Sequence, residues 1–581
     1  MNIPYQSKIY GTKRTSVNFR GLDRRLKAKE NMLRDTLNMS SREENCAATR
    51  WRRGSLQLEA DKIDSIVCTD ILIDGKIVEN AIIADCNDTL VAYFYENGLL
   101  VKRTILNTAR LTTGKNNITA SGGYLYFFPD KAYINLMNLD DYGSLEAEYT
   151  FYGGIHTRNE EVNFYETIVS VCDGTGEVAE GKSGYIRIEC KKYKEKNGAK
   201  GDIIGSLYIG SKFSLGDFVT LKGFGAADGN RKIKYIPNDY SYLVLEGYIG
   251  EGCVVTSGIP TVRREIPDVE YVVASGNRLW GCYYGVDENG KPINEIYASA
   301  LGDPKNWNRY EGISTDSFSA SIGADGKFTG AAVYGDTPVF FKENSIIRVY
   351  GSKPSEYQIV SSNLRGIEKG SEKSAVTVND TLYYKTHSGI VRYNGGVPQN
   401  IDEALGDRVY KNAVAGGCRG KYYVSMENEK GEYELYVYDC ETGVWHKEDD
   451  LYVTCFCSSG SELFMLSDKL YTAYGSGEGK TESDFPWLIE TGLMGCDSTY
   501  LKRLQSLEIR MSNNDHAVAV EVKYDENDSW SSVAFKDTEK GRIVCTFPPL
   551  VCDTYRLRIS GKGETIIRSV TVTESYYKNC R

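Results

Sequence analysis

Beyond about residue 60 the chain alternates apolar and polar positions with a period of two, or runs solidly apolar over short stretches. Period two is the spacing of a half-buried strand, because successive side chains point to opposite faces; a helix would repeat its apolar positions every third or fourth residue. Almost every run ends in Gly, Asn or Asp, the residues that supply turn geometry. Three stretches show the grammar: "NITASGGYLYFFPDKAYINL" (117–136), "VVASGNRLWGCYYG" (272–285) and "GAAVYGDTPVFFKENSIIRVYG" (330–351). Each reads as a strand of small or β-branched residues, a turn, an aromatic-rich strand, a second turn and an aromatic-ended strand.

Seven such units are expected, near 62–108, 117–136, 268–311, 328–362, 373–400, 412–448 and 453–475. Their length, about 30–45 residues, is the period of propeller blades, which bury their faces only by stacking around an axis. The predicted fold is therefore all-β, a β-propeller of about seven blades. Two regions break the grammar. Residues 150–266 are too long for a loop and carry their own strands, as in "SGYIRIECKKY" (183–193), so they read as an inserted β-domain. After a linker, "GSGEGKTESDFPW" (475–487), residues 485–581 alternate as a C-terminal β-sandwich. The propeller then spans 59–149 and 267–476. Residues 1–58 read as a basic N-terminal arm, with a short helix over 27–38 stopped by Asn38-Met39-Ser40-Ser41.

Composition sharpens this picture. The chain has 43 Tyr and 58 Gly in 581 residues, the usage of many short strands and tight turns. No apolar run is long enough to span a membrane, and residues 1–19 lack the apolar region of a secretory signal. Fifteen Cys are scattered without a CxxC pair; the closest two, Cys455 and Cys457, share one strand face. They read as free thiols of a protein made in a reducing cytosol. The four His lack Cys or His neighbours at zinc-site spacing, so no metal or other cofactor is expected. Residues 1–53 hold 13 Lys and Arg against 5 Asp and Glu, a net +8, which leaves −18 on the rest. A basic arm on an acidic body suggests two different jobs.

Candidate chemistry is thin, and no enzyme is expected. A propeller glycoside hydrolase needs an Arg cluster, a Tyr nucleophile and axial carboxylates; "YDCETGVWHK" (438–447) carries only the look of a hairpin. His387 has no identifiable Ser or Cys partner for a triad. The segment "NEIYASALGDPKNWNRYEG" (294–312) reads instead as a joint between blades. There Asn277 and Arg278 start a strand that carries Trp280, Asp303 caps a Gly-Asp-Pro turn, and Trp307 and Tyr310 close it.

Three phrases share a family likeness: "FRGLDRR…RDTLNMS…RWRRG" (19–54), "NRLWG…EIYASALGDPKNWNRYEG" (277–312) and "LYYKTHSGIVRYNGGVPQNID" (382–402). The chain resembles bacteriophage tail-hub proteins of the propeller type, the nozzle, tubular-tail or packaged-DNA-stabilisation proteins. Gly21, Leu22, Asp23, Asp35 and Asn38 match the family's opening segment, and Trp307 stands where Phe is more usual. The resemblance implies a virion structural protein, made in the host bacterial cytoplasm. Its copies would assemble as a homo-oligomeric ring, often a hexamer, below the portal or adaptor, with other tail proteins as neighbours. The genome would pass transiently along an acidic channel wall that repels DNA. The arm's Arg20, Arg24, Arg25, Arg50, Arg52 and Arg53 would contact a neighbouring acidic subunit or wrap the ring's closing blade. The rival reading is a receptor- or glycan-binding tail protein; a propeller glycoside hydrolase is the third.

Overall fold

The computed structural model describes residues 9–25, 31–56, 63–86, 89–96, 99–107, 117–158, 160–179, 183–209, 212–287, 290–475, 482–512, 516–525, 529–538 and 540–577. The chain is nearly all β. Its few helical turns are three-residue 3-10 segments such as Gly225–Ala227 and Glu403–Leu405. No helix among the described residues is long and apolar enough to cross a membrane.

Among the described residues, seven sheets are four-stranded and antiparallel. In sequence order the first six span 65–107, 117–144, 271–321, 328–362, 376–400 and 410–449. The seventh has only three consecutive strands, Cys455–Ser459, Glu462–Leu466 and Leu470–Thr472. Its fourth strand is Gly54–Leu56, far away in sequence, with Leu56 opposite Leu470 and Gly54 opposite Thr472. The first strand of each sheet lies beside the first strand of the next. That of the seventh, Cys455–Ser459, lies beside Ser65–Ile73 of the first, so the series closes on itself.

Each junction between successive sheets holds its own apolar cluster. Ile83 and Phe94 meet Leu125 and Phe127 between the first and second sheets. Phe341 meets Tyr384 between the fourth and fifth, and Tyr383 meets Tyr422 and Trp445 between the fifth and sixth. A four-stranded meander alone hides neither face; stacking side by side hides both. The hairpins between their strands use the expected turn chemistry. Gly276 and Asn277 both have positive φ, 59° and 57°, the mirror-image turn whose twist matches the flanking strands.

Two further bodies attach to this series. A ten-stranded sheet runs from Ala147–Thr150 to Thr261–Arg264 around a core that includes Phe151, Ile188, Phe224 and Leu245. Its end strands pair, Ala147 opposite Arg264, so the insert leaves and rejoins the series at adjacent points. The sheet thus starts three residues before the expected 150.

The second body is a sandwich of a seven-stranded and a five-stranded sheet. Leu507, Ile509 and Val572 of one face Val520, Leu557 and Ile559 of the other. Here two expectations are corrected. The described residues of 1–58 do not stand apart as an arm: Ile9–Val17 and Ala47–Thr49 pair with Ile566–Tyr577, and Leu33–Leu37 pairs with Pro486–Thr491. Of the expected helix over 27–38, residues 27–30 lie outside the described residues, and 33–37 form a strand. The reason is tertiary: Val17, Phe19, Leu33, Met39 and Ala47 all bury into the sandwich core, which outweighs local helix preference. Linker residues 476–481 also lie outside the described residues.

Candidate functional site

The loop 299–317 follows the strand Pro292–Ala298 and is fixed largely by its own backbone and side chains. Ala300 N–H donates to Asn306 O at 2.7 Å, and Gly302 N–H donates to Asn277 O at 2.8 Å. The Asp316 carboxylate accepts from the amides of Glu311, Gly312 and Ile313 at 2.6–3.0 Å, which organises the second half. Asp303 accepts from Lys305 N–H and from the Asn306 side-chain amide, and so caps the turn.

Within this frame Trp307 is 1% exposed. It packs against Phe128, Tyr126, Val269, Val272 and Leu279, where the second and third sheets meet. Its ring meets that of Phe128 edge-on with centroids 6.4 Å apart, and its Nε1 donates to Pro304 O at 2.8 Å. Trp280, on the next strand face, fills the following junction with Phe340 and Ile347 and meets Tyr357 edge-on at 5.0 Å. Arg278 is buried and donates to three carbonyls, Ser299 O, Asp316 O and Ser314 O, at 2.5–2.7 Å. Its guanidinium thus ties strand to loop. Burial holds its pKa below the ordinary arginine value, although Tyr357 and Asp316 oppose that.

Tyr310 departs from the expected joint. It is 56% exposed, its hydroxyl donating to Ser319 Oγ at 3.2 Å, because the loop has already turned outward three residues after Trp307. It lines a groove of about 1000 Å³ between the insert and the series of sheets, with Tyr297, Lys131, Arg263 and Asp268. Lys131 is largely tied up there, donating to Glu146, Asp268 and the Ile266 carbonyl.

The same loop seats the insert. Phe218 N–H donates to Asn306 Oδ1 at 2.8 Å, and Lys232 pairs with Glu311 at 3.1 Å. Beneath them Arg264 and Asp217 form a fully buried ion pair, and Arg264 Nε also donates to Leu145 O. Asn306, Arg264 and Asp217 carry no sequence motif; only the fold brings them together.

The arginines of the N-terminal segment form a second constellation. Arg53 donates to Glu448 and Asp449 at 2.6 Å each, and Arg53 and Glu448 are both buried. Arg50 grips Glu482 with both terminal nitrogens and reaches Asn38 Oδ1. Arg24 bridges Asp35 and the Tyr436 hydroxyl; Arg25 pairs with Asp23, and Arg52 with Asp484. Arg20 is exposed. Most of this positive charge is therefore matched within the chain.

Near this clamp, Glu434 accepts from Lys447, Tyr410 and Tyr436. Burial alone would raise its pKa, but these donors hold it down at about 2. His446 lies fully buried with neither ring nitrogen hydrogen-bonded. Burial, aided by the Lys421 charge and opposed by Asp439, pushes its pKa down to about 3. Its folded pKa lies below the ordinary 6.5, so the neutral ring stabilises the fold above 6.5, and that contribution is lost as pH falls toward 3. The expected slope is about 1.4 kcal/mol per pH unit in that window. Thermal melts between pH 7 and pH 4 should show wild type losing stability more steeply than His446→Leu. Parallel curves would mean that His446 does not titrate on unfolding.

Among the described residues, no group of three or more His, Cys, Asp or Glu side chains is placed to hold a metal ion. No family model and no curated protein matches the chain. Among solved structures, it is similar to the extracellular domain of a hybrid two-component system from B. thetaiotaomicron, at 12% identity and TM-score 0.25, covering 91% of this chain and 72% of that one. An exo-beta-1,3-galactanase from Phanerochaete chrysosporium aligns at 12% identity and TM-score 0.21, over 52% of this chain and 94% of that one. Raptor from Chaetomium thermophilum aligns at 9% identity and TM-score 0.28, over 73% and 29%.

Proposed function

We propose that this chain is a virion structural protein, a seven-bladed β-propeller that forms one subunit of a bacteriophage tail nozzle or hub ring. The carrying observation is where the three family-like phrases fall. Residues 19–54 enter the sandwich and the closing strand, 277–312 build the junction that seats the insert, and 382–402 bury Tyr384 and Tyr393 between two sheets. The distinctive residues serve chiefly as joints, as a load-carrying scaffold would need.

The genome would not pass through a single subunit. The first strands of successive sheets pack directly side by side, so the channel is assigned to the space between copies rather than to one chain. Several copies arranged around a wider axis would form the channel, and the acidic body would keep DNA sliding rather than bound. The insert is a natural contact between copies. It exposes Ile203, Ile204, Tyr208, Leu215, Tyr248 and Ile259, apolar side chains that a neighbouring copy would cover. A receptor- or glycan-binding tail protein is the second reading, favoured by Tyr310 standing exposed at the groove.

Electron microscopy of the purified oligomer and of particles labelled on this chain tests the proposal. A ring on the portal axis is expected. Label on peripheral spikes would replace the nozzle by the receptor binder. Because the insert's ends pair side by side, residues 147–264 can be exchanged for a short linker. The shortened chain is expected to stay folded and to fail to form rings; rings of normal size would remove the insert from the subunit contact.

A further inference from the structure

The junction between the first and seventh sheets is filled differently from the others. Around Ile66, Val91 and Leu466 it gathers four cysteines, Cys68, Cys86, Cys455 and Cys457. Cys68 lies on Ser65–Ile73 and Cys457 on Cys455–Ser459, the two first strands that become neighbours where the series closes. Their sulfurs are 3.0 Å apart, although 389 positions separate them in sequence. Cys455 is engaged elsewhere, its thiol 3.7 Å from Ile66 O. Without a covalent bond the seam is held by this apolar cluster, which Leu56 of the short strand Gly54–Leu56 joins.

We propose that Cys68 and Cys457 are a redox pair that forms a disulfide across the closing seam and locks the ring. The oxidant is a small-molecule disulfide such as oxidised glutathione. The Cys68 thiolate attacks it, forming a mixed disulfide and releasing one thiolate. The Cys457 thiolate then attacks the Cys68 sulfur, releasing the second. The protein loses two hydrogens and the oxidant becomes two thiols. Burial, then the contact with Cys68, raises the Cys457 pKa, so Cys457 is assigned the second attack, made once Cys68 has left that contact as the mixed disulfide. A bond that closes so long a loop restricts the unfolded chain strongly. In a reducing cytoplasm the pair stays a dithiol, and it closes after release. That timing rests on the virion reading; the chemistry does not.

The full chain, purified reduced, is incubated with oxidised glutathione and examined by non-reducing peptide mapping and thermal melting. One peptide linking Cys68 to Cys457 is expected, with a rise in melting temperature that dithiothreitol reverses. The rise should vanish in Cys68→Ser and in Cys457→Ser and survive in Cys418→Ser. Cys496, which is exposed, reports that the oxidant reacts. Glutathione on Cys496 without a Cys68–Cys457 link would overturn the pair. A link without any rise in melting temperature would overturn the lock. Mapping on the wild-type chain decides the first point even if the serine variants fold poorly.

Discussion

Replacing Trp307 with Ala is expected to destabilise the protein by about 3–5 kcal/mol, the usual range for emptying a large buried aromatic site. The ring touches residues from two sheets at once, so the cavity cannot be closed by shifting one hairpin. The neighbouring Asn306 holds Phe218 of the insert, so loosening the loop should also loosen the insert. Scanning calorimetry should show a lower melting temperature. Limited proteolysis should show earlier cleavage between the insert and the sheets. Trp307→Phe should recover most of the loss, since an aromatic still fills the edge-on contact with Phe128. A Trp307→Ala protein of unchanged melting temperature that had lost binding to a sugar or cell surface would instead make this segment a ligand site.

How far the sequence could be read depended on the range of the interaction. Sheets one to six are local meanders, and their period-two runs and turn residues sit next to one another in the chain. The turn at Gly276-Asn277 is such a local signal, since both residues tolerate the positive φ it requires. The fourth strand of the seventh sheet was illegible for the opposite reason. Gly54–Leu56 is three residues long and pairs with a strand more than four hundred positions away. No local pattern marks so short a partner.

Charge misled in a similar way. Arginines crowded into residues 1–53 look like a solvent-facing arm when their partners are hundreds of residues distant. Glu448, Asp449 and Glu482 neutralise Arg53 and Arg50 only once the chain has folded back. Leu33–Leu37 could be taken for helix because its alternation is brief; pairing with Pro486–Thr491 decides it. At the candidate site, Trp307 and Arg278 could be singled out as large or charged residues beside a turn. Asn306 could not, because its role depends on a backbone amide in another domain.

Replacing Arg53 with Met is expected to cost about 3–5 kcal/mol, the loss seen when one partner of a buried ion pair is removed and the other is left uncompensated. Glu448 would lose its arginine and Asp449 would keep only Arg50, 4.0 Å away; both carboxylates lie on the last strand of the sixth sheet. Burial raises the Asp449 pKa, but Arg53 and then Arg50 bring it below the ordinary carboxylate value. Without Arg53 the first effect gains ground and Asp449 takes up a proton at higher pH. The variant should therefore lose less stability than wild type when the pH is lowered from 6 toward 4. Adding Glu448→Gln to Arg53→Met should restore part of the loss, because a neutral amide is cheaper to bury than an unpaired carboxylate. Hydrogen exchange separates this from general loosening. Arg53 directly precedes the closing strand, so amides of 54–56 and 470–472 should exchange faster in the variant while those of the fourth sheet, 328–362, keep their protection. Uniformly faster exchange would place Arg53 in global stability rather than in holding the strand Gly54–Leu56 to the seventh sheet.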